Sequence, residues 1–340
     1  MNLVNDIERM LDDVDNYTQS LNASLCFIHI FIWDKENNRV YSDVKYFIGK
    51  AYQPNDITPD ITLLLPNRRG LIVECKRSIS RNEDSSRDEW QKIIDQLKKY
   101  DDTLTGWDTS GGNVDQQELI LLINQKYSKI FVDYLNNKKQ TFNKISKNFC
   151  VVRYSRDMGR NEAIVFTIED GEFDDFRELT MDKIKYHITV SLMFLISSKL
   201  KKIFFLDEFP PSIYTMSILW DYVFSSMITE EQWRNAKEVS DRVRIIEIIV
   251  TKKQLRDFIT ENFCDRNARH SVKESWIEEA LDNFIKIKLA KKNRAQGEYT
   301  IKYRKNITSE SESDNKTEVF ARLLCEKNIQ LQMDEFLSDE

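Results

Sequence analysis

Three side chains in the first half of the sequence have the types and spacing for phosphoester chemistry: Asp60, Glu74 and Lys76. Asp60 follows Pro59, thirteen residues intervene, and Glu74-Cys75-Lys76 then closes the apolar run Leu71-Ile72-Val73. Unpaired charges at the end of such a run are costly to bury, so a shared site explains them better than a solvated surface does. Two carboxylates supply hard oxygen ligands for Mg²⁺ or Mn²⁺, whose shell is completed by water and substrate phosphate. A metal held there polarises a phosphoryl oxygen and activates water. An ammonium beside it orients that water or offsets charge in the transition state.

The neighbouring sequence must position these groups. Two apolar runs, 60–65 and 71–76, flank Pro66-Asn67-Arg68-Arg69-Gly70. This turn chemistry predicts an antiparallel hairpin that folds Asp60 back beside Glu74. Strand alternation puts Glu74 and Lys76 on one face and Cys75 on the other. After a polar loop, Trp90, Ile93, Ile94, Leu97 and Leu104 recur at helical spacing. Gln96 and Tyr100 are four apart and stack on one face of that helix. Residues 119–123 and 149–154 read as strands, with a helix over 129–144 between them. The chain opens with an amphipathic helix marked by Ile7, Leu11, Val14, Tyr17 and Leu21. Residues 25–33 are apolar and β-branched enough for a strand, with helix as the alternative. The sequence of elements predicts an α/β layer structure.

This set resembles the PD-(D/E)XK nuclease superfamily, whose pattern is Pro-Asp, a spacer, then an acid, any residue and Lys. Gln96 and Tyr100, in QLKKY, look like the QxxxY motif of RecB-like branches, which lies on the helix after the lysine-bearing strand. The resemblance covers roughly residues 1–168. It implies a restriction-endonuclease-like core, a mixed sheet flanked by helices, and metal-dependent cleavage of DNA or, less often, RNA. It also implies catalytic roles for Asp60, Glu74, Lys76, Gln96 and Tyr100, with Asp60 and Glu74 as metal ligands. Many members place a further acid on the first helix. Glu8 is the natural candidate here, and Asp6, Asp12 and Asp15 compete with it.

The pattern changes to mostly helical from about residue 180. Helices are predicted over 183–205, 212–228, 239–250 and 252–263, with Thr251 as a cap, followed by a long helix capped by Ser271. A turn at Gln296-Gly297 precedes the alternating strand 299–303. Helices followed by a hairpin are the order of a winged-helix domain. The expected organisation is a nuclease domain over 1–178, a helical, winged-helix-like domain over 179–306, and an acidic tail over 307–340 with a terminal helix. The last winged helix carries Glu274, Glu278, Glu279 and Asp282 in its first turns, which repel phosphate. Its end and wing are basic, at Lys286, Lys288, Lys291, Lys292 and Lys302. The domain therefore suits DNA held by the wing, or a protein interface, equally well.

The net charge of −6 is carried entirely by residues 306–340. The remainder is balanced, so an acidic pI does not exclude nucleic acid as a partner. Residues 330–337, QLQMDEFL, are similar to the sliding-clamp-binding PIP box. No Walker-type loop is present, so a helicase or ATPase would be a separate chain. A second copy of the chain is another candidate partner. The five cysteines are odd in number and scattered, a poor disulfide or zinc set, and point to a reducing, cytoplasmic compartment. His29, His187 and His270 lack metal-ligand spacing. The apolar stretch 187–206 is broken by Ser and Lys, so it reads as a buried helix and not as a membrane span. Two functional readings follow: a metal-dependent nuclease of defence, restriction or repair, and a non-catalytic DNA-binding or adaptor protein.

Overall fold

The structure, a computed structural model, describes residues 3–34, 39–40, 44–76, 83–107, 112–137, 147–157, 159, 162–171, 188–192, 203–205, 209–235, 237–240, 243–263, 272–293, 295–304 and 315–338. The chain divides into two compact units. One is built from Thr18–Glu208 with Asp265–His270, and the other from Met1–Tyr17, Phe209–Cys264 and Ser271–Glu340.

The first unit is a restriction-endonuclease-like α/β core: a seven-stranded mixed sheet flanked by helices. Its strands are β3 (Lys45–Ile48), β4 (Ile61–Leu65), β5 (Arg69–Lys76), β6 (Gln116–Asn124), β7 (Asn148–Asp157), β8 (Ala163–Gly171) and β9 (Ile188–Ser191). They lie in sequence order across the sheet. A small two-stranded ribbon, β1 (Trp33–Asp34) with β2 (Arg39–Val40), precedes them. β5, β6 and β7 are parallel to one another, and the outer pairs are antiparallel. Parallel strands need crossovers, and helices α2 (Glu83–Lys99) and α3 (Gln125–Asn137) supply them. The central strands are apolar because both faces are covered. Ile72, Leu119, Leu121, Ile123 and Val151 face Ile93, Ile94 and Leu97 of α2 and Phe131 and Leu135 of α3. On the other face Cys75 meets Ser24, and Phe166 meets Phe27 at a ring distance of 5.7 Å; both partners lie on helix α1 (Leu3–Ile32).

Residues 25–32 extend α1 instead of forming a strand. They are buried along their whole length, and a short apolar run enclosed on all sides carries no period by which strand and helix can be separated. Within the helix expected over 183–205, residues 188–191 form strand β9 instead, which pairs with β8 through Ile164↔Val190 and its neighbours, and 203–205 carry no regular structure.

Gly70 shows how tightly the start of β5 is packed. A Cβ there would lie 2.6 Å from Cη2 of Trp107, a fully buried ring that donates from Nε1 to the Leu104 carbonyl at 2.8 Å. Gly70→Ala is expected to destabilise the protein by about 1–3 kcal/mol through overpacking. A urea midpoint equal to that of the wild type would show that Trp107 moves aside freely.

The second unit has the winged-helix order. Its elements are α4 (Ser212–Ile218), continuing through a π-helical turn at Leu219–Phe224, then α5 (Glu230–Asn235), β10 (Lys237–Ser240), β11 (Val243–Thr251), α6 (Lys252–Phe263), α7 (Glu274–Lys286), β12 (Ala290–Asn293), β13 (Glu298–Tyr303) and α8 (Lys316–Ser338). The sheet order is β10-β11-β13-β12, with α6 and α7 between β11 and β12 in the chain. Trp220 anchors its core against Phe224, Phe284, Tyr303 and Phe320. In place of the helix expected over 239–250, the described residues hold the end of β10 and strand β11. Ile246, Ile248 and Val250 point inward while Ile249 is 63 % exposed, a two-residue period that pairing with β13 fixes. Thr251 caps α6 as expected, in a reciprocal box in which its Oγ1 accepts from the Gln254 amide and its own amide donates to Gln254 Oε1. α7 starts at Glu274 with Lys273 as its N-cap residue, and Ser271 lies outside the described residues. Most of the acidic stretch before α8 also lies outside them. α8 runs through 330–337, but the side chains of 331–337 are not among those described. Among the described residues no helix is long and apolar enough to cross a membrane.

Candidate active site

The β4–β5 hairpin is closed by a 3₁₀ turn at Pro66–Arg68, and Ile61 pairs with Val73. Asp60 and Glu74 are the next residues out on each strand, so they lie side by side on the face that α2 covers. Position 76 is two further along β5 and returns to the same face. Cys75 between them turns away, with Sγ 3.2 Å from Ser24 Oγ. Its backbone N–H donates to Asp60 Oδ2 at 2.6 Å, which fixes the Asp60 carboxylate against β5.

Four side chains close a ring of hydrogen bonds. Lys76 Nζ donates to Glu74 Oε1 at 2.5 Å and to Gln96 Oε1 at 3.2 Å. Gln96 Nε2 donates to the Tyr100 hydroxyl at 2.9 Å, and that hydroxyl donates to Glu74 Oε2 at 2.5 Å. Both Glu74 oxygens therefore have a donor, and Gln96 is held by one partner at each end. The Glu74 side chain is 1 % exposed, whereas the Lys76 side chain is 19 % exposed. Burial, followed by the charges of Glu74 and Asp60, drives the Tyr100 hydroxyl well above its ordinary pKa. Tyr100 thus remains a donor across the working pH range, and both carboxylates act on it at once.

The structure brings Asp60, Glu74, Lys76, Gln96 and Tyr100 together. Glu8 is exposed on the early part of α1 and is grouped with the other unit. Tyr154 of β7 was not singled out from the sequence, and its hydroxyl reaches the Lys76 carbonyl at 3.4 Å. Nothing in its strand pattern distinguishes it from a core tyrosine. His29 is buried, and burial lowers its pKa. His187 and His270 lie outside the described residues. Cys26, Cys75, Cys150 and Cys325 are buried and in no disulfide.

A divalent ion fits the chemistry of this donor set: two carboxylates on neighbouring strands, with the backbone of Cys75 bonded to one of them. Among the described residues no group of three or more His, Cys, Asp or Glu side chains converges as a ligand cluster. A metal here would therefore take much of its shell from water and substrate.

In the winged-helix-like unit the acids of α7 are partly paired. Arg256 meets Glu274 at 2.6 Å, and Lys252 and Lys292 meet Glu278 at 2.8 and 3.5 Å. Glu279 and Asp282 are exposed, as are Lys286, Lys288 and Lys291 at the other end of the helix and on the strand that follows. Searches found no protein-family model that matches this chain and no curated protein significantly similar to it.

Proposed function

We propose that this chain is a metal-dependent nuclease of the PD-(D/E)XK kind, hydrolysing phosphodiester bonds, with DNA as the preferred substrate. The ring joining Glu74, Lys76, Gln96 and Tyr100, with Asp60 beside it, is the observation that carries the reading. A purely structural ion pair does not need a second carboxylate on the adjacent strand or two further residues from a helix. The restriction-endonuclease-like fold is consistent with this chemistry but does not by itself specify it.

In this reading Asp60, Glu74 and the Cys75 carbonyl hold Mg²⁺ or Mn²⁺. Bound there, the ion supplies Lewis-acid polarisation of the phosphoryl group and lowers the pKa of water. Lys76 orients the attacking water and offsets charge on the transferring phosphoryl group. Tyr100 fixes the Glu74 carboxylate, and Gln96 fixes Lys76 and Tyr100 relative to each other. Defence, restriction and repair all employ such cleavage, and a separate ATPase or a clamp bound through 330–337 would direct it.

Purified wild-type chain and Asp60→Ala should be compared on single- and double-stranded DNA and RNA with Mg²⁺ or Mn²⁺. The expected result is metal-dependent cleavage by the wild type alone. Equal cleavage by Asp60→Ala would overturn the assignment. The second reading, a non-catalytic DNA-binding or adaptor protein, is favoured by the winged-helix strand order and the exposed lysines of its wing side. A cellular phenotype that survives Glu74→Gln but is lost on charge reversal at Lys291 and Lys302 would decide for it.

A further inference from the structure

The two helix-borne members of the ring, Gln96 and Tyr100, sit where α2 ends. Tyr100 and Asp101 close that end with i→i−3 bonds, from the Tyr100 amide to the Leu97 carbonyl and from the Asp101 amide to the Lys98 carbonyl, each 3.1 Å. A helix terminus leaves its last carbonyls without intrahelical partners. Lys147, the residue before β7, binds the chain just past that end. Its Nζ donates to the Tyr100 carbonyl at 2.5 Å and to the Asp102 carbonyl at 2.6 Å, and its backbone amide donates to Asp101 Oδ1 at 3.1 Å. Three consecutive residues at the helix end are thus tied to one residue. β7 in turn is hydrogen-bonded along its length to β6 and β8, so the tether leads into the rigid centre of the sheet. A cation at a helix C-terminus is also favoured by the helix dipole.

From this geometry we infer that Lys147 is a positioning residue of the candidate active site, acting through Tyr100. Tyr100 is held at both ends. Its carbonyl is fixed to β7 by Lys147, and its hydroxyl is fixed to β5 through Glu74. Without the first tie, the last turn of α2 is free to fray, and the hydroxyl loses the registration that holds Glu74 Oε2. A lysine that only decorated the surface would not meet the cost of its setting. Burial lowers the amine to about 8, with Asp101 and Asp102 pulling the other way. It lines an open polar cavity of about 330 Å³ shared with Asp101, Thr103, Asp115, Gln116 and Asn148. That cavity presents both carboxylates and the amine, so it does not define a ligand of one charge.

The inference rests on the nuclease reading for its consequence at the metal, and the test separates the two. Full-length Lys147→Met, Lys147→Arg, Tyr100→Phe and the Met/Phe double variant are compared by amide hydrogen exchange over 96–104 and by titration with Mn²⁺ alone. Lys147→Met should speed exchange in the last turn of α2 about tenfold or more, the loss of charge-assisted bonds, and leave α3 unchanged. It should weaken Mn²⁺ binding several-fold, Arg should restore both, and Met should add nothing to Mn²⁺ affinity once Tyr100 is Phe. Unchanged exchange in Lys147→Met, or affinity losses that multiply in the double variant, would overturn the inference. A wild-type chain that binds no Mn²⁺ would instead sink the nuclease reading. The exchange of 96–104, compared between Met and Arg, would then decide the tether by itself.

Discussion

Replacing Lys76 with Ala is expected to slow metal-dependent phosphodiester cleavage about 100- to 1,000-fold, the cost of removing one preorganised group that stabilises transition-state charge. Lys76 is the only cation of the ring and is more open to solvent than the Glu74 it bonds, so it alone can offer positive charge to both Glu74 and a bound phosphate. Its removal should not cost metal binding. The Lys76 ammonium occupies Glu74 Oε1, and without it the carboxylate would meet an ion with no competing positive charge. Mn²⁺ affinity should therefore be kept or tightened while cleavage collapses. Lys76→Met preserves the bulk of the side chain and should behave in the same way. Single-turnover cleavage at saturating Mn²⁺ is the measurement, and rates within threefold of the wild type would remove Lys76 from the chemistry.

Glu74→Gln should give the opposite division of effects. The carboxylate accepts from Lys76 at one oxygen and from Tyr100 at the other. An amide has a single acceptor oxygen, so its NH₂ must confront either an ammonium or a hydroxyl donor. The position is buried, and water does not fill the lost place. Stability should fall by about 2–3 kcal/mol, discounted from the full cost of breaking a buried pair because Lys76 retains some exposure. Mn²⁺ binding and cleavage should disappear together. A Glu74→Gln protein that melts at the wild-type urea midpoint and still binds Mn²⁺ would show that Glu74 is neither ring member nor ligand.

The hairpin and the face shared by Glu74 and Lys76 were legible because turn residues and two-residue alternation are local properties of the chain. The Gln96–Tyr100 pair was legible from helical spacing for the same reason. Properties set at long range were not. Residues 25–32 and 246–250 are apolar enough for either helix or strand, so their state is decided by what encloses them: a continuing helix in the first case, pairing with β13 in the second. Lys147 belongs to no motif, and its importance follows from a meeting with residues 45 to 47 positions earlier. Glu8 was drawn from the resemblance and not from local pattern, and it is grouped with the other unit. The acids of α7 could be counted in the sequence, but their pairing with Lys252, Arg256 and Lys292 depends on the packing of α6 and β12.

The central claim is that Asp60 and Glu74 form one metal site, and a crystal structure of the wild-type chain soaked in Mn²⁺ tests it directly by anomalous scattering. The account predicts an anomalous peak between the two carboxylates and within ligand distance of the Cys75 carbonyl. No peak there at saturating Mn²⁺, with Glu74 still bonded to Lys76 and Tyr100, would contradict it.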